Sequence, residues 1–163
     1  MATGDTGRWI LSAVAATTAV GGYLADWNHT HLFNPRWPPH AKFHDAQTIA
    51  LGSILGCGGL FLLWRRKGEP EMDLALGALL PASFWIAQGI SYAFPGAAGL
   101  DAEFPNEVPR IAGVRVSEWM GSSLMLMLTA LGYWLERRQL PQPRHGSAVH
   151  AAPGRGRPGL HAL

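Results

Sequence analysis

The chain has 163 residues and a formal net charge of +2, a length that allows one domain and little more. Its single cysteine, Cys57, cannot form an internal disulfide, so it gives no information on the redox compartment. The basic residues lie at the ends of apolar segments and in the C-terminal tail, which is typical of membrane topology and argues against nucleic-acid binding.

Four stretches without charged residues follow one another along the chain, at 9–25, 46–64, 74–100 and 119–135. A helix that crosses the hydrocarbon core of a bilayer needs about 20 apolar residues. The pattern therefore predicts an all-α polytopic membrane protein, built as a bundle of four transmembrane helices.

Residues 1–138 form the predicted membrane domain, with helices at about 8–27, 39–66, 72–94 and 111–138. Pro39 suits the first position of the second helix, and Pro95 ends the third. The first apolar segment is also compatible with a signal peptide cleaved before Asp26. Residues 139–163 are rich in Pro, Gly, Arg and Ala and are predicted to be a disordered tail, and we leave its histidines out of any site.

Basic residues are distributed unequally between the two predicted faces of the membrane. The loop around 65–67 and the chain ends carry nine Lys and Arg residues, whereas the outer loops around 28–38 and 95–110, with the starts of the second and fourth helices, carry four. The positive-inside rule then predicts that both termini are cytoplasmic, in what we take to be a bacterial inner membrane.

Small residues recur at helical spacing in the first two predicted helices. They predict the faces on which these helices pack, because close backbone approach drives helix association in lipid. The two stripes are Ala13, Thr17 and Gly21, and Gly52, Gly56 and Gly59.

Histidines and acids are concentrated between the first and second predicted helices. His40 and His44 are four residues apart and share a helix face. We predict a site for Fe, Zn or Cu, because imidazoles with a carboxylate suit these metals. The predicted ligands are His29, His31, His40 and His44.

A second group of polar residues is predicted to lie at the same face of the membrane. Glu118 begins the apolar run of the fourth helix, at a depth where an ionisable residue needs a partner or a function. Asp26 and Glu118 are the candidate ligands or general bases, and Gln88 and Tyr92 the candidate groups that orient a substrate. Arg115, three residues before Glu118, is a candidate partner for it within the fourth helix.

Three interpretations of the histidines remain open: a metal site, a metal-free acid/base site, and interfacial residues that only cap helices. The predicted function is an integral membrane enzyme of the isomerase, cyclase or hydroxylase type, acting on a lipophilic small molecule that enters from membrane lipid. The alternative is a non-enzymatic metal-binding or accessory subunit of a membrane complex, and a homo-oligomer is compatible with either.

The placement of acids and tryptophans in a four-helix plan resembles the EXPERA group, which includes sterol isomerases. That resemblance implies proton transfer to a lipophilic alkene, and it assigns no individual residue. The segment 37–44, with the sequence WPPHAKFH, is similar to small four-helix bacterial membrane proteins.

Overall fold

In a computed structural model, which describes residues 5–65 and 67–140, the chain forms four α-helices and one short hairpin. The helices are α1 (Thr6–Ala25), α2 (Pro39–Trp64), α3 (Pro70–Ser91) and α4 (Glu118–Arg137). Each helix packs against the next, and α4 returns to pack against α1, which closes a four-helix ring. The predicted helical fold with four helices is confirmed for the described residues, whereas nearly all of the predicted tail lies outside them.

Two of these helices, α2 and α3, are long and apolar enough to cross a membrane. Large apolar side chains are exposed on their outer surfaces, among them Ile54 and Phe61 on α2 and Leu79 and Ile90 on α3. Exposed apolar surface of this kind indicates that the bundle is surrounded by membrane lipid or by a protein partner.

Proline and serine define where the helices begin. Pro39 and Pro70 are the first residues of α2 and α3, where the missing N–H removes no helical hydrogen bond. The Ser117 hydroxyl accepts the N–H of Met120 at 3.4 Å and caps α4.

The predicted start of the fourth helix at 111 is wrong, because a β-hairpin occupies that segment. β1 (Arg110–Ile111) pairs with β2 (Val114–Arg115) through a turn in which Ala112 and Gly113 have φ of 50° and 83°. A two-residue turn with positive φ at both positions matches the twist of paired strands. Arg115 consequently lies outside α4, and the predicted pairing with Glu118 is also wrong: its Nη1 is 3.9 Å from Oδ2 of Asp101.

The predicted glycine stripe of α2 lies on the interior of the bundle. Gly52, Gly56 and Gly59 are all buried. A Cβ placed on Gly56 would collide with the backbone of Ala15, and one placed on Gly59 would be 2.6 Å from Cγ of Pro81. These glycines let α2 approach α1 on one side and α3 on the other, as close packing in lipid requires.

The predicted packing stripe of α1 is wrong. Ala13 is exposed, and a Cβ on Gly21 would meet nothing within 4 Å. The buried face of α1 instead carries Leu11, Ala15 and Ala19, each 9% exposed or less.

Ion pairs join the helices at the end of the bundle that holds both chain ends. Arg8 donates from Nη2 to Oε1 of Glu136 at 2.7 Å and from its backbone N–H to Oε2 at 3.0 Å, so α1 is tied to α4. Arg65 pairs with Asp73 across the turn between α2 and α3. Glu136 and Asp73 are almost fully buried, and losing either arginine would leave a buried charge without a partner.

Candidate acid/base pocket

A pocket of about 310 Å³ lies at the opposite end of the bundle, between the α1–α2 loop and the ends of α3 and α4. Its wall brings together residues that are far apart in the sequence. Those with polar or aromatic side chains are Thr30, His31, Trp37, Gln88, Ser91, Tyr92, Glu103 and Glu118. The two outer loops, predicted from the sequence only to share one face of the membrane, therefore meet at one site.

A compact turn at the end of α1 positions His31. The side-chain oxygen of Asn28 accepts the backbone N–H of Thr30 at 2.8 Å and its hydroxyl at 2.6 Å. Asn34, only 1% exposed, donates to the carbonyl of Thr30 and accepts the N–H of Arg36. In turns, side-chain hydrogen bonds of this kind take the place of regular hydrogen bonds between backbone groups. They hold this loop in one conformation.

The two ring nitrogens of His31 have different partners. Its Nδ1 is 2.8 Å from the Thr30 hydroxyl oxygen, and that hydroxyl already donates its hydrogen to Asn28. The oxygen is therefore an acceptor for His31, which places a hydrogen on Nδ1. Nε2 is left facing Oδ1 of Asp26 at 3.6 Å, without a close hydrogen bond.

Asp26 is the C-cap residue of α1, and its carboxyl is mostly shielded from solvent. Burial raises the pKa of Asp26 above its ordinary value of 3.8; the His31 ring opposes this shift, and the charges of Asp45 and Glu118 add to it. Asp26 therefore holds a proton more readily than a free aspartate, next to a histidine that can take it.

Glu118 and Tyr92 form the opposite wall of the pocket. Glu118 accepts the backbone N–H of Leu100 on Oε1 and the Tyr92 hydroxyl on Oε2, both at 2.8 Å. Burial and the hydrogen bond to Glu118 together raise the pKa of Tyr92 to about 12. Tyr92 is therefore a neutral donor at physiological pH, oriented by a carboxylate.

Two polar contacts join the outer loops beside the pocket. Arg36 donates to Oε1 of Glu103 at 2.7 Å and lies over the ring of Phe104. His29 is exposed, with Nε2 at 3.7 Å from Oε1 of Glu107. His29 thus contributes to loop contacts and does not line the pocket.

His40 and His44 form a separate pair in the first turns of α2. Their Nε2 atoms are 3.1 Å apart, and neither residue lines the pocket. The structure therefore distributes the four predicted histidine ligands over three places. Among the described residues, no three His, Cys, Asp or Glu side chains are grouped so as to hold a metal ion, and metal binding stays a prediction.

Of the four residues predicted as catalytic, three line the pocket, namely Gln88, Tyr92 and Glu118, and Asp26 lies behind His31. The sequence analysis missed Thr30, which determines the tautomer of His31. The spacing of Asn28 and Thr30 before a proline-containing loop is the signal for the turn that could have indicated it.

Together the fold and the pocket define a four-helix protein that carries acid/base side chains at one end of its bundle. The chain belongs to DUF6640, a family of unknown function whose model matches residues 10–145. No curated protein and no solved structure matches the sequence. The resemblance to the EXPERA group and the bacterial origin accordingly find no support in these comparisons.

Proposed function

We propose that the protein is an integral membrane enzyme that moves a proton on a lipophilic small molecule, with His31 as the residue that exchanges it. One observation carries the proposal: His31 lines the pocket with Nδ1 engaged by Thr30 and Nε2 lacking a close partner. A histidine in this state can act as a general base, because its unprotonated nitrogen can accept a proton from a substrate.

Asp26 is proposed to stabilise the protonated form of His31. The distance of 3.6 Å between Nε2 and Oδ1 of Asp26 is short enough for an ion pair when the ring is protonated. Once Nε2 accepts a proton, the imidazolium and the aspartate attract each other. The same pair can then return the proton to another atom of the substrate.

The opposite wall is proposed to hold a polar group of the substrate. Tyr92 carries a hydroxyl that Glu118 orients, and Gln88 lies about one helical turn from it on α3. A substrate oxygen bound here would face His31 across the pocket. Of the isomerase, cyclase and hydroxylase chemistries, isomerisation needs only proton transfer, and these side chains supply that by themselves.

We also propose that all four helices cross the membrane. α1 and α4 have 20 residues each, which spans about 30 Å, close to the thickness of a hydrocarbon core. Both expose large apolar side chains on the outside of the bundle, such as Leu24 and Met127. Because they pack along α2 and α3, they share the surroundings of those helices, which supports α1 as a part of the mature protein. The basic residues at the end opposite the pocket then favour cytoplasmic termini.

Deuterium uptake tests the enzyme proposal. The full chain in lipid nanodiscs would be incubated in D₂O with a membrane lipid extract, and the lipids analysed by mass spectrometry. We expect the wild type to deuterate or isomerise a lipophilic compound, and His31→Ala to slow this by about 10²- to 10⁴-fold, the usual contribution of a general base.

His161→Ala is the matched control, because this histidine belongs to the tail that is left out of the site, and it should retain the wild-type rate. Absence of deuterium uptake by the wild type in every extract would overturn the proposal and favour the accessory-subunit alternative. Equal rates for the wild type and His31→Ala would remove His31 from the mechanism.

A further inference from the structure

A pair of imidazoles outside the pocket has the geometry of a two-histidine metal ligand set. His40 and His44 lie on one face of α2, both exposed, with Nε2 atoms 3.1 Å apart. Two ring nitrogens at this distance share one hydrogen atom between them. Both Nε2 atoms therefore already face each other closely enough to bind a single partner.

Gln47 fixes which nitrogen of His44 carries its hydrogen. Nδ1 of His44 is 3.3 Å from the side-chain oxygen of Gln47, which can only accept. Nδ1 consequently carries the hydrogen, and Nε2 presents its lone pair toward His40. Metal-binding histidines almost always have such an outer partner on the second nitrogen, which sets the tautomer and orients the ring.

The spacing also fits coordination distances. With metal–nitrogen bonds of about 2.05 Å, as for Zn²⁺, the observed separation of 3.1 Å corresponds to a nitrogen–metal–nitrogen angle of roughly 100°. Tetrahedral sites require angles close to this value. The rings have room to turn toward a common ion, because Phe43, stacked parallel to His40, is itself exposed.

We propose that His40 and His44 bind one divalent transition-metal ion, Zn²⁺ or Cu²⁺, through their Nε2 atoms. The ion takes the place of the shared hydrogen: the His40 proton moves from Nε2 to Nδ1, so two neutral rings bind the ion without releasing a proton. The other coordination positions face outward, toward water. This site is separate from the proposed enzyme chemistry, which does not use either residue.

Calorimetric titration of the full chain with Zn²⁺ tests the site at about pH 7.5, where imidazole is mostly neutral. We expect one ion per chain in the wild type and loss of this binding in the His40→Ala, His44→Ala double variant. Gln47→Ala should weaken binding by about 10- to 100-fold, the usual effect of removing an outer partner. His29→Ala is the matched histidine control and should bind as the wild type does.

Electron paramagnetic resonance of the Cu²⁺ form gives an independent readout, with coupling to two nitrogens expected and lost in the double variant. Unchanged Zn²⁺ affinity and stoichiometry in the double variant would assign the ion to other histidines and overturn the proposal. No Zn²⁺ binding by the wild type would overturn it as well. Circular dichroism checks that each variant retains its helices, and neither overturning result would affect deuterium uptake at the pocket.

Discussion

His29 and His31 are two residues apart, yet they have different surroundings. The side chain of His29 is 67% exposed and lies beside Glu107, whereas that of His31 is 22% exposed and lies between Thr30 and Asp26. A histidine acts as an oriented base when a partner on one ring nitrogen sets the tautomer and the other nitrogen stays accessible. His31 meets both conditions, and for this reason the proposed chemistry depends on it alone among the histidines.

Tyr92 gives a spectroscopic test of the opposite wall. Its pKa of about 12 lies above the ordinary 10.0, chiefly because of burial and then because of Glu118. Since the unfolded chain loses this proton first, the free energy of unfolding should fall as pH rises from 10 to 12.

We expect Glu118→Gln to lower the midpoint of the tyrosinate absorbance part of the way toward 10.0, since burial remains. The spectrum of Tyr92→Phe, subtracted from that of each protein, isolates the signal of Tyr92. A midpoint that is the same with and without the Glu118 carboxylate would show that the two side chains do not interact.

Asp26 gives a stability test of the site in the acid range. Its folded pKa lies above 3.8, so the native state binds the proton more tightly than the unfolded state does. The free energy of unfolding should therefore decrease as pH rises from 3.8 through the folded pKa. Asp26→Asn should lack this slope, as measured by denaturant unfolding at a series of pH values.

Subtracting the free energy of unfolding of Asp26→Asn from that of the wild type at each pH removes the contributions of the other carboxyl groups. If the wild type instead gained stability relative to the variant as pH rises through this window, an ion pair with His31 would outweigh burial. The pKa of Asp26 would then not be raised by burial, whereas its proposed role as the partner of protonated His31 would be strengthened.

At the scale of the helices, a substitution at Gly56 tests the packing of α1 against α2. A side chain at Gly56 would collide with the backbone at Ala15, which cannot move without shifting α1. We expect Gly56→Ala to lower the free energy of unfolding by about 1–3 kcal/mol, as overpacking usually does. Unfolding in a denaturing detergent measures it.

Gly21→Ala is the matched control, because a Cβ at Gly21 meets no atom within 4 Å. Alanine favours helix over glycine by up to about 1 kcal/mol, so this variant should be as stable as the wild type or more so. Equal effects of the two substitutions would indicate that helix propensity, and not contact with α1, determines the result.

Local chemical signals in the sequence predicted most helix boundaries. Pro39 begins α2 and Pro95 follows the end of α3, as predicted, whereas Pro70, which begins α3, was not used in the prediction. The start of α4 was missed because the hairpin before it depends on Ala112 adopting positive φ, a conformation that alanine rarely takes and that no local pattern indicates. Ser117, a good N-cap residue, was the better signal for this boundary.

Packing faces were harder to predict than boundaries. The glycines of α2 identify its interior face, since backbone contact there requires the absence of a side chain. In α1, small residues such as Ala13 and Ala15 occur on every side. In the proposed membrane setting the exposed face is as apolar as the buried one, so polarity does not distinguish the two faces. Only the position of Gly56 on the neighbouring helix determines that Ala15 is the contact.

The sequence predicted that the outer loops share one face of the membrane, but not that they are in contact or which side chains pair within the site. Their spacing in the sequence does not distinguish His29 from His31 as a partner of Asp26. The turn stabilised by Asn28 determines that His31 faces Asp26. Likewise, the four histidines are close in sequence, yet the end of α1 and the start of α2 orient them differently. Side-chain direction in an irregular loop depends on hydrogen bonds that spacing does not encode.

At the scale of the whole molecule, the two ends of the bundle have different roles. At one end, ion pairs with buried carboxylates join the helices, Arg8 with Glu136 and Arg65 with Asp73. At the other end, Asp26 and Glu118 face imidazole, hydroxyl and amide groups, and the ion pair of Arg36 with Glu103 is between exposed side chains. Stability is concentrated where the chain ends lie, and the accessible chemistry is concentrated on the opposite side.

The proposed function requires that all four helices cross the membrane and that the pocket lies on the outer side. Single cysteines introduced into a Cys57→Ser background would be labelled with an impermeant maleimide in intact bacterial cells and after permeabilisation. Suitable exposed positions are Ile111 beside the pocket, Lys67 between α2 and α3, and Gln139 after α4.

We predict that Ile111→Cys reacts in intact cells, and that Lys67→Cys and Gln139→Cys react only after permeabilisation. Labelling of Gln139→Cys together with Ile111→Cys in intact cells would mean that α4 does not cross, and the four-span account would be wrong. Labelling of Lys67→Cys and Gln139→Cys, but not of Ile111→Cys, in intact cells would place the pocket on the cytoplasmic side and contradict the proposed orientation.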